Sequence, residues 1–304
     1  MKQKQILVIG GSYFIGRVFC LFASGTGNYE LHVVNRGKYT LHLDHTTQYL
    51  CDRHDVQRLS GLFPDIHFDS VVDFCAYSPG DIQSVFSALS GKFGHYIYLS
   101  SCSVYAPSEK SHSETSPFRE SDSPDPAEQY AYHKCVLEGE LKSLCAHQGI
   151  PYTILRPSFV YGPYNYAPRE SYYVQLICRG GIIPVPQNAS AKWQFVYVKD
   201  VAQGILACLE NPTCHNQDYI LSAPEVFTYP KFMEVLEETS SQPLFKDSVP
   251  LSQVYQQNIP LPFPLEQNEL YEGSKISSQL GLCYTPFREG FTKTYAAFYK
   301  VFTK

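Results

Sequence analysis

Short apolar runs alternate with segments of helical period along the first half of the chain. Ile6–Ile9 reads as a strand and Phe14–Ala23 as a helix; Leu31–Val34, Ser70–Phe74 and Tyr96–Leu99 read as further strands. Brief continuous apolar runs of this kind suit strands buried on both faces. A helix over Asp81–Leu89 separates the last two, with Ser78-Pro79 as N-cap and first helical proline. Cys51-Asp52-Arg53 closes a third strand in chain order. Residues 107–126 are rich in Ser, Glu, Asp and Pro and predict a surface loop. A helix then runs from about Ala127 to Gln148, followed by a strand at Tyr152–Leu155. Strands alternating with helices predict a parallel, doubly wound sheet.

After Arg156-Pro157 the texture changes, with more Pro, Tyr and Asn and shorter elements. Val198–Leu209 and Lys231–Glu238 read as helices there, Phe195–Tyr197 and Tyr219–Leu221 as strands. The expected division is a dinucleotide-binding domain over 1–156 and a smaller lobe over 157–304, some elements of which return to the first domain. The length of 304 residues fits one α/β domain with an appended lobe.

Chemistry enters with the helix after the acidic loop. At about 100° per residue, Tyr130, Lys134, Leu137, Leu141, Leu144 and Cys145 share roughly a third of its circumference. Such a face packs on a core, and lysine is almost never fully buried without a partner. A tyrosine one turn away and a bound sugar-phosphate cofactor would supply that partner.

Two segments near the N-terminus point to the same ligand. Gly10-Gly11-Ser12-Tyr13-Phe14-Ile15-Gly16 joins the first strand to the first helix, where glycines permit a tight turn and the helix N-terminus offers free N–H groups to a pyrophosphate. Tyr13 occupies the position of a central glycine; its ring is expected to project away from the diphosphate. The second strand ends in Asn35-Arg36-Gly37-Lys38, with no acid for the ribose hydroxyls. Arg36 and Lys38 either pair with a 2′-phosphate, favouring NADP(H), or are solvated loop charges. Asp52 either accepts from an adenine amino group or caps a helix, with Arg53 beside it.

The formal charge of −5 and pI near 6.1 make nucleic acid an unlikely main partner. No apolar run reaches the roughly 18 residues of a membrane span, and the polar Met1–Gln5 leads straight into a strand, without a signal peptide. The ten cysteines include no C-x-x-C pair, and most lie in apolar periodic segments. They are expected to be reduced, in a cytoplasmic protein without a metal site.

The quoted segments resemble the extended short-chain dehydrogenase/reductases, also called NAD-dependent epimerase/dehydratases. The similar pieces are Ile9–Gly16, Leu99–Tyr105, Tyr130-Ala131-Tyr132-His133-Lys134, Leu155–Pro163, Phe195–Ala202 and Gly273-Ser274-Lys275 followed by Leu280-Gly281, in the family's order. The resemblance implies a Rossmann-type sheet and an NAD(P) cofactor. It makes Tyr130 the acid/base, has Lys134 bind the nicotinamide ribose and lower the tyrosine pKa, and has Ser101 hold the substrate oxygen. A free tyrosine titrates near about 10, and a neighbouring cation favours phenolate. Gly10, Gly11, Tyr13, Phe14, Ile15, Gly16, Asn35, Arg36, Asp52, Arg53, Cys75, Ala76 and Pro157 form the expected cofactor set. Asn165 and Arg169, with Tyr164, Tyr172 and Tyr173, either line a polar substrate cleft or form a packed hinge. By the same resemblance the helices near Asp81–Leu89 and Ala127–Gln148 would pair two copies as a homodimer.

Two departures matter. Tyr13 replaces the central glycine, and Trp193 stands where nucleotide-sugar members often carry a diphosphate-binding arginine. The glycine and Asn-Arg-Gly-Lys segments also resemble a divergent branch that includes chloroplast stem-loop RNA-binding proteins. The leading expectation is an NAD(P)-dependent oxidoreductase or epimerase acting on a sugar-like or other hydroxylated small molecule. The alternative is a nucleotide-binding, non-catalytic or RNA-binding protein of the same fold.

Overall fold

The computed structural model describes residues 3–120 and 123–303. The first half lays down β1 (Lys4–Ile9), α1 (Phe14–Gly25), β2 (Tyr29–Asn35), β3 (Thr46–Leu50), α2 (Val56–Leu62), β4 (Ser70–Asp73), α3 (Asp81–Ala88), β5 (Tyr96–Leu99), α4 (Pro126–Gln148) and β6 (Tyr152–Pro157). There follow β7 (Phe159–Tyr161), α5 (Glu170–Cys178), β8 (Ile183–Gln187), β9 (Trp193–Tyr197), α6 (Val198–Cys208), β10 (Gln217–Leu221), β11 (Val226–Phe227), α7 (Tyr229–Ser240), β12 (Lys246–Pro250), α8 (Leu251–Gln256), α9 (Ser274–Leu280) and α10 (Phe287–Phe302).

Among the described residues, seven strands form one parallel sheet in the order β10-β6-β5-β4-β1-β2-β3. The order reverses between β1 and β4, and the crevice at the carboxyl ends of those two strands is where ligands bind in open α/β sheets. β4 and β5 are buried along their whole length; β5 and the Val71-Val72 centre of β4 are apolar, while the buried Asp73 carboxylate at the end of β4 is paired with Arg53. β10 returns from the second half to extend the sheet beside β6, and α6 packs on α1.

The appended lobe is built from two small sheets, β11-β9-β7 and β12-β8, and from an aromatic core. Trp193, Phe195, Phe232 and Phe263 meet face to edge or stacked, and Phe287 joins them through Phe195. Trp193 is fully buried there.

Two local expectations change. α3 starts at Asp81 behind Gly80 at φ 89°, so Ser78 is not its N-cap; instead the Asp81 carboxylate accepts from the Tyr77 and Ser78 N–H groups. α4 is capped by Asp125, which accepts from the Ala127 and Glu128 N–H groups, with Pro126 in its first turn.

Candidate active site

One cleft of about 690 Å³, its open mouth included, lies at the carboxyl edge of the sheet. Its floor is the glycine loop. Gly10 sits at φ 97°, and a Cβ there would stand 2.9 Å from the Cys75 sulfur; one on Gly16 would stand 2.8 Å from the Gly11 Cα. Only glycine lets β1 turn this tightly into α1. The next residue but three is strained, since Phe14 is held at φ 40° without being glycine. Such strain gathers at functional sites.

Tyr13 is among the residues that line the cleft. Its ring lies on the cleft, stacked between Tyr39, 4.5 Å away, and Tyr166, 5.3 Å away. Tyr39 belongs to the segment after β2 and Tyr166 to the appended lobe, so the stack bridges the two sides of the glycine loop. The sequence reading left out both partners.

The second wall carries Ser101, Tyr130 and Lys134. Ser101 follows β5 and has a double role: its Oγ accepts from the Ser103 N–H, capping the short turn at Cys102–Val104, while the residue lines the cleft. Lys134 is 1% exposed. Its ammonium donates to the Ala76 carbonyl at 2.9 Å and the Leu99 carbonyl at 3.0 Å. The Tyr98, Tyr77 and Tyr130 rings surround it, with centroids at 4.8, 4.9 and 5.7 Å. An ammonium has three donors, so the two carbonyls leave one for a ligand. Burial pushes its pKa down to about 8.

Tyr130 differs from its expected electrostatics. Burial raises its pKa, and the groups that pull it back are Ser101 and Arg169. The Lys134 ammonium, credited with that role by the resemblance, is held by carbonyls facing the sheet.

The remaining expected residues divide. Phe14, Ile15, Gly16, Pro157 and Arg169 line the cleft; Cys75 and Ala76 lie just behind it, Cys75 against Gly10 and Ala76 on Lys134. Asn35 accepts from Gly37 N–H and Gln48 Nε2, and its own buried Nδ2 has no partner among the described residues. Arg36 is exposed at the same strand end. Asp52 accepts from the His54 N–H and Nδ1, whose bonds hold its carboxyl below the usual range; the α2 cap is Asp55 instead.

Two residues are corrected. All five Arg53 donors are engaged, by the Asp73 carboxylate, the Asp81 carbonyl and the Cys75 sulfur, so Arg53 is a buried strut and not a cofactor contact. Asn165 gives its Nδ2 to both oxygens of the buried Glu170 and fulfils the hinge alternative. The cleft-lining residues include two cations, Lys134 and Arg169, and no carboxylate. An anionic ligand fits that balance, and so does a dinucleotide over the glycine cradle.

A model of the NAD dependent epimerase/dehydratase family matches residues 82–221. The match covers 140 of the 304 residues, so it carries the likeness to this family through the central part of the chain. Among curated relatives, the chloroplast stem-loop binding protein of 41 kDa b from Arabidopsis thaliana is 29% identical over 242 residues, covering 75% of this chain and 61% of that protein. UDP-glucose 4-epimerase from Vibrio cholerae is 24% identical over 135 residues, 44% of this chain and 41% of the enzyme. The chain thus spans about three-fifths or less of these relatives' own lengths. In fold, the chain superposes on UDP-N-acetylglucosamine 4-epimerase from Methanobrevibacter ruminantium with a TM-score of 0.82 and 18% identity, over 99% of this chain and 100% of that one. UDP-glucuronic acid 4-epimerase from Bacillus cereus, in complex with NAD, gives 0.78 and 18%, over 97% and 96%.

The sequence reading passed over three neighbours of the site. Glu138 lies one turn beyond Lys134 on the same face, a spacing that was legible, and is 1% exposed. Arg17 stands in the first turn of α1, where the helix dipole disfavours a cation; its Nε is buried without a partner among the described residues. Ser158 lines the cleft, and its Oγ is likewise unpartnered.

Proposed function

We propose that the protein is an NAD(P)-dependent oxidoreductase or epimerase acting on a sugar-like or other hydroxylated small molecule. One observation carries this reading: a buried lysine with a donor to spare stands beside Tyr130 and Ser101 at the carboxyl edge of the sheet, in a cleft without carboxylates. A bound nicotinamide supplies the hydride acceptor or donor that no side chain provides. Gly10, Gly11 and Gly16 admit its diphosphate to the N-terminus of α1; Asn35, Arg36 and Asp52 serve the adenosine end; Cys75, Ala76 and Pro157 bound the nicotinamide end. The spare donor of Lys134 bonds the nicotinamide ribose. Ser101 holds the substrate oxygen, and Tyr130 exchanges the proton with it: off the hydroxyl when the carbon is oxidised, onto the carbonyl oxygen when it is reduced. The raised pKa of Tyr130 favours its protonated form, which readies the site for reduction. With Arg36 and Lys38 exposed and no acid at the end of β2, the preferred cofactor is NADP(H).

Turnover of sugars, sugar nucleotides and hydroxyketones by wild type and Tyr130→Phe tests the reading. The variant should lose about 10²–10⁴-fold in rate while keeping its dinucleotide affinity. A variant with near-wild-type turnover would remove Tyr130 from the chemistry. The stem-loop relative supports a second reading, RNA binding, for which filter binding of a stem-loop RNA is the direct check; the acidic balance of the chain weighs against it.

A further inference from the structure

The cleft has an end that the dinucleotide reading leaves unexplained. Arg169 stands at the N-terminus of α5, half-buried, with its guanidinium 5.2 Å from the Phe159 ring centroid. Among the described residues no carboxylate or carbonyl accepts from that side chain, although it has five donors. Its charge works against the rise that burial imposes on the pKa values of Tyr130 and of the half-buried Glu269. Glu269 accepts from the Tyr271 hydroxyl and pairs with Trp193 through an isolated β-bridge in the appended lobe. Arg169 thus brings a cation from the start of α5 to the cleft that Tyr130 and Ser101 also line. Ser158 also lines the cleft, and its hydroxyl is buried without a partner. A buried hydroxyl left unbonded among the described residues is costly, so Ser158 is open to a ligand that reaches the cleft.

We propose that Arg169, assisted by Ser158, is an anion subsite, and that the substrate is a small hydroxylated acid whose carboxylate or phosphate is held there while Tyr130 and Ser101 take the reacting hydroxyl or carbonyl. This rests on the reading of Tyr130 given above. The cation selects the charge and the planar fork selects an oxyanion with two accessible oxygens. The absence of any carboxylate on the lining leaves nothing in the cleft to compete for Arg169. The same fork meets a sugar carboxylate or a sugar phosphate, which the experiment separates.

Calorimetric titration of the full chain, with and without saturating NADPH, uses three probes: glucuronate, glucose 6-phosphate and neutral glucose. At least one acid should bind about 10- to 100-fold more tightly than glucose, and which acid does so identifies the anion. Arg169→Gln should erase that advantage, Arg169→Lys should restore part of it, and Ser158→Ala should weaken the acid by a smaller factor. NADPH affinity should stay within about twofold of wild type in all three variants, which also reports that they fold. Equal binding of all three probes to wild type would overturn the subsite. So would Arg169→Gln weakening NADPH as much as the acid, since that assigns the arginine to the cofactor diphosphate. Binding of the acids by a chain that ignores NADPH would keep the subsite and dismiss the oxidoreductase reading.

Discussion

Two cations are buried along the same face of α4, and their surroundings are opposite. Arg156 is fully buried and has a partner for every donor. Its Nε and Nη2 meet the two Glu138 oxygens at 2.8 and 2.6 Å, Nη2 also meets Asp218 at 2.8 Å, and Nη1 meets the Tyr105 hydroxyl and the Glu114 carbonyl. These partners hold the guanidinium firmly in its charged form. One turn earlier Lys134 is just as deep but meets only neutral carbonyls and ring faces, and its pKa falls to about 8. The first cation is part of the frame that fixes α4 against β6. The second is held in readiness, with its ordinary charge state discouraged until a ligand arrives. Burial alone does not mark a functional residue; burial without an opposite charge does.

The difference predicts unlike responses to substitution. Glu138→Ala leaves Arg156 buried with Asp218 as its remaining carboxylate, and Ser100 without an acceptor. Breaking a buried pair of this kind costs about 3–5 kcal/mol, so chemical denaturation should show a chain at the edge of unfolding. Lys134→Met removes a charge that has no carboxylate partner and should change stability by less than about 1.5 kcal/mol, the lost ammonium–carbonyl bonds being offset by relief of desolvation. Comparable losses in both variants would abolish the distinction.

A pH series sharpens it. The folded pKa of Lys134, about 8, lies below its ordinary 10.5. Between those values the unfolded chain binds more protons, so the contribution of Lys134 to stability rises with pH across that window and is lost as pH falls through 8. The stability difference between wild type and Lys134→Met should therefore climb in favour of wild type above pH 8, with a slope of at most about 1.4 kcal/mol per pH unit. A flat difference from about pH 7.5 to 10 contradicts the depressed pKa.

How much of this contrast could be read from the sequence depends on the element. The sheet strands were plain because their buried centres, such as Val71-Val72 in β4 and Tyr96–Leu99 in β5, form short apolar runs. Tyr130 and Lys134 were legible because a lysine breaks an otherwise apolar stripe. Arg53 misled because its partner, Asp73, is twenty residues away in sequence and meets it only through sheet order. Asn165 misled in the same way: a polar residue in a loop reads as a ligand contact until Glu170 is seen to bind it. In the appended lobe β8, β12 and α8 were missed, since their strands carry Pro184, Pro186 and Pro250 and expose much of their surface. Their positions follow from β12 pairing with β8 and from α8 packing on both, contacts that local periodicity does not encode.

The smallest of these effects concerns Tyr13. Its ring stacks on two partners, each contact worth about 0.5–1.5 kcal/mol, and a diphosphate that displaced the ring would have to break at least one of them. Tyr13→Gly should thus lower stability by about 1 kcal/mol and tighten dinucleotide binding up to about tenfold. Weaker binding by Tyr13→Gly would mean that the ring itself holds the cofactor.

The account stands most directly on the spare donor of Lys134 and the glycine cradle being parts of one dinucleotide site. Fluorescence titration of NADPH and NADH into wild type, Lys134→Met and Arg36→Ala measures that. Saturable binding is predicted, tighter for NADPH, with the preference narrowed about tenfold by Arg36→Ala and both nucleotides weakened by Lys134→Met. Absence of saturable binding of either nucleotide, or binding indifferent to Lys134→Met, would contradict it.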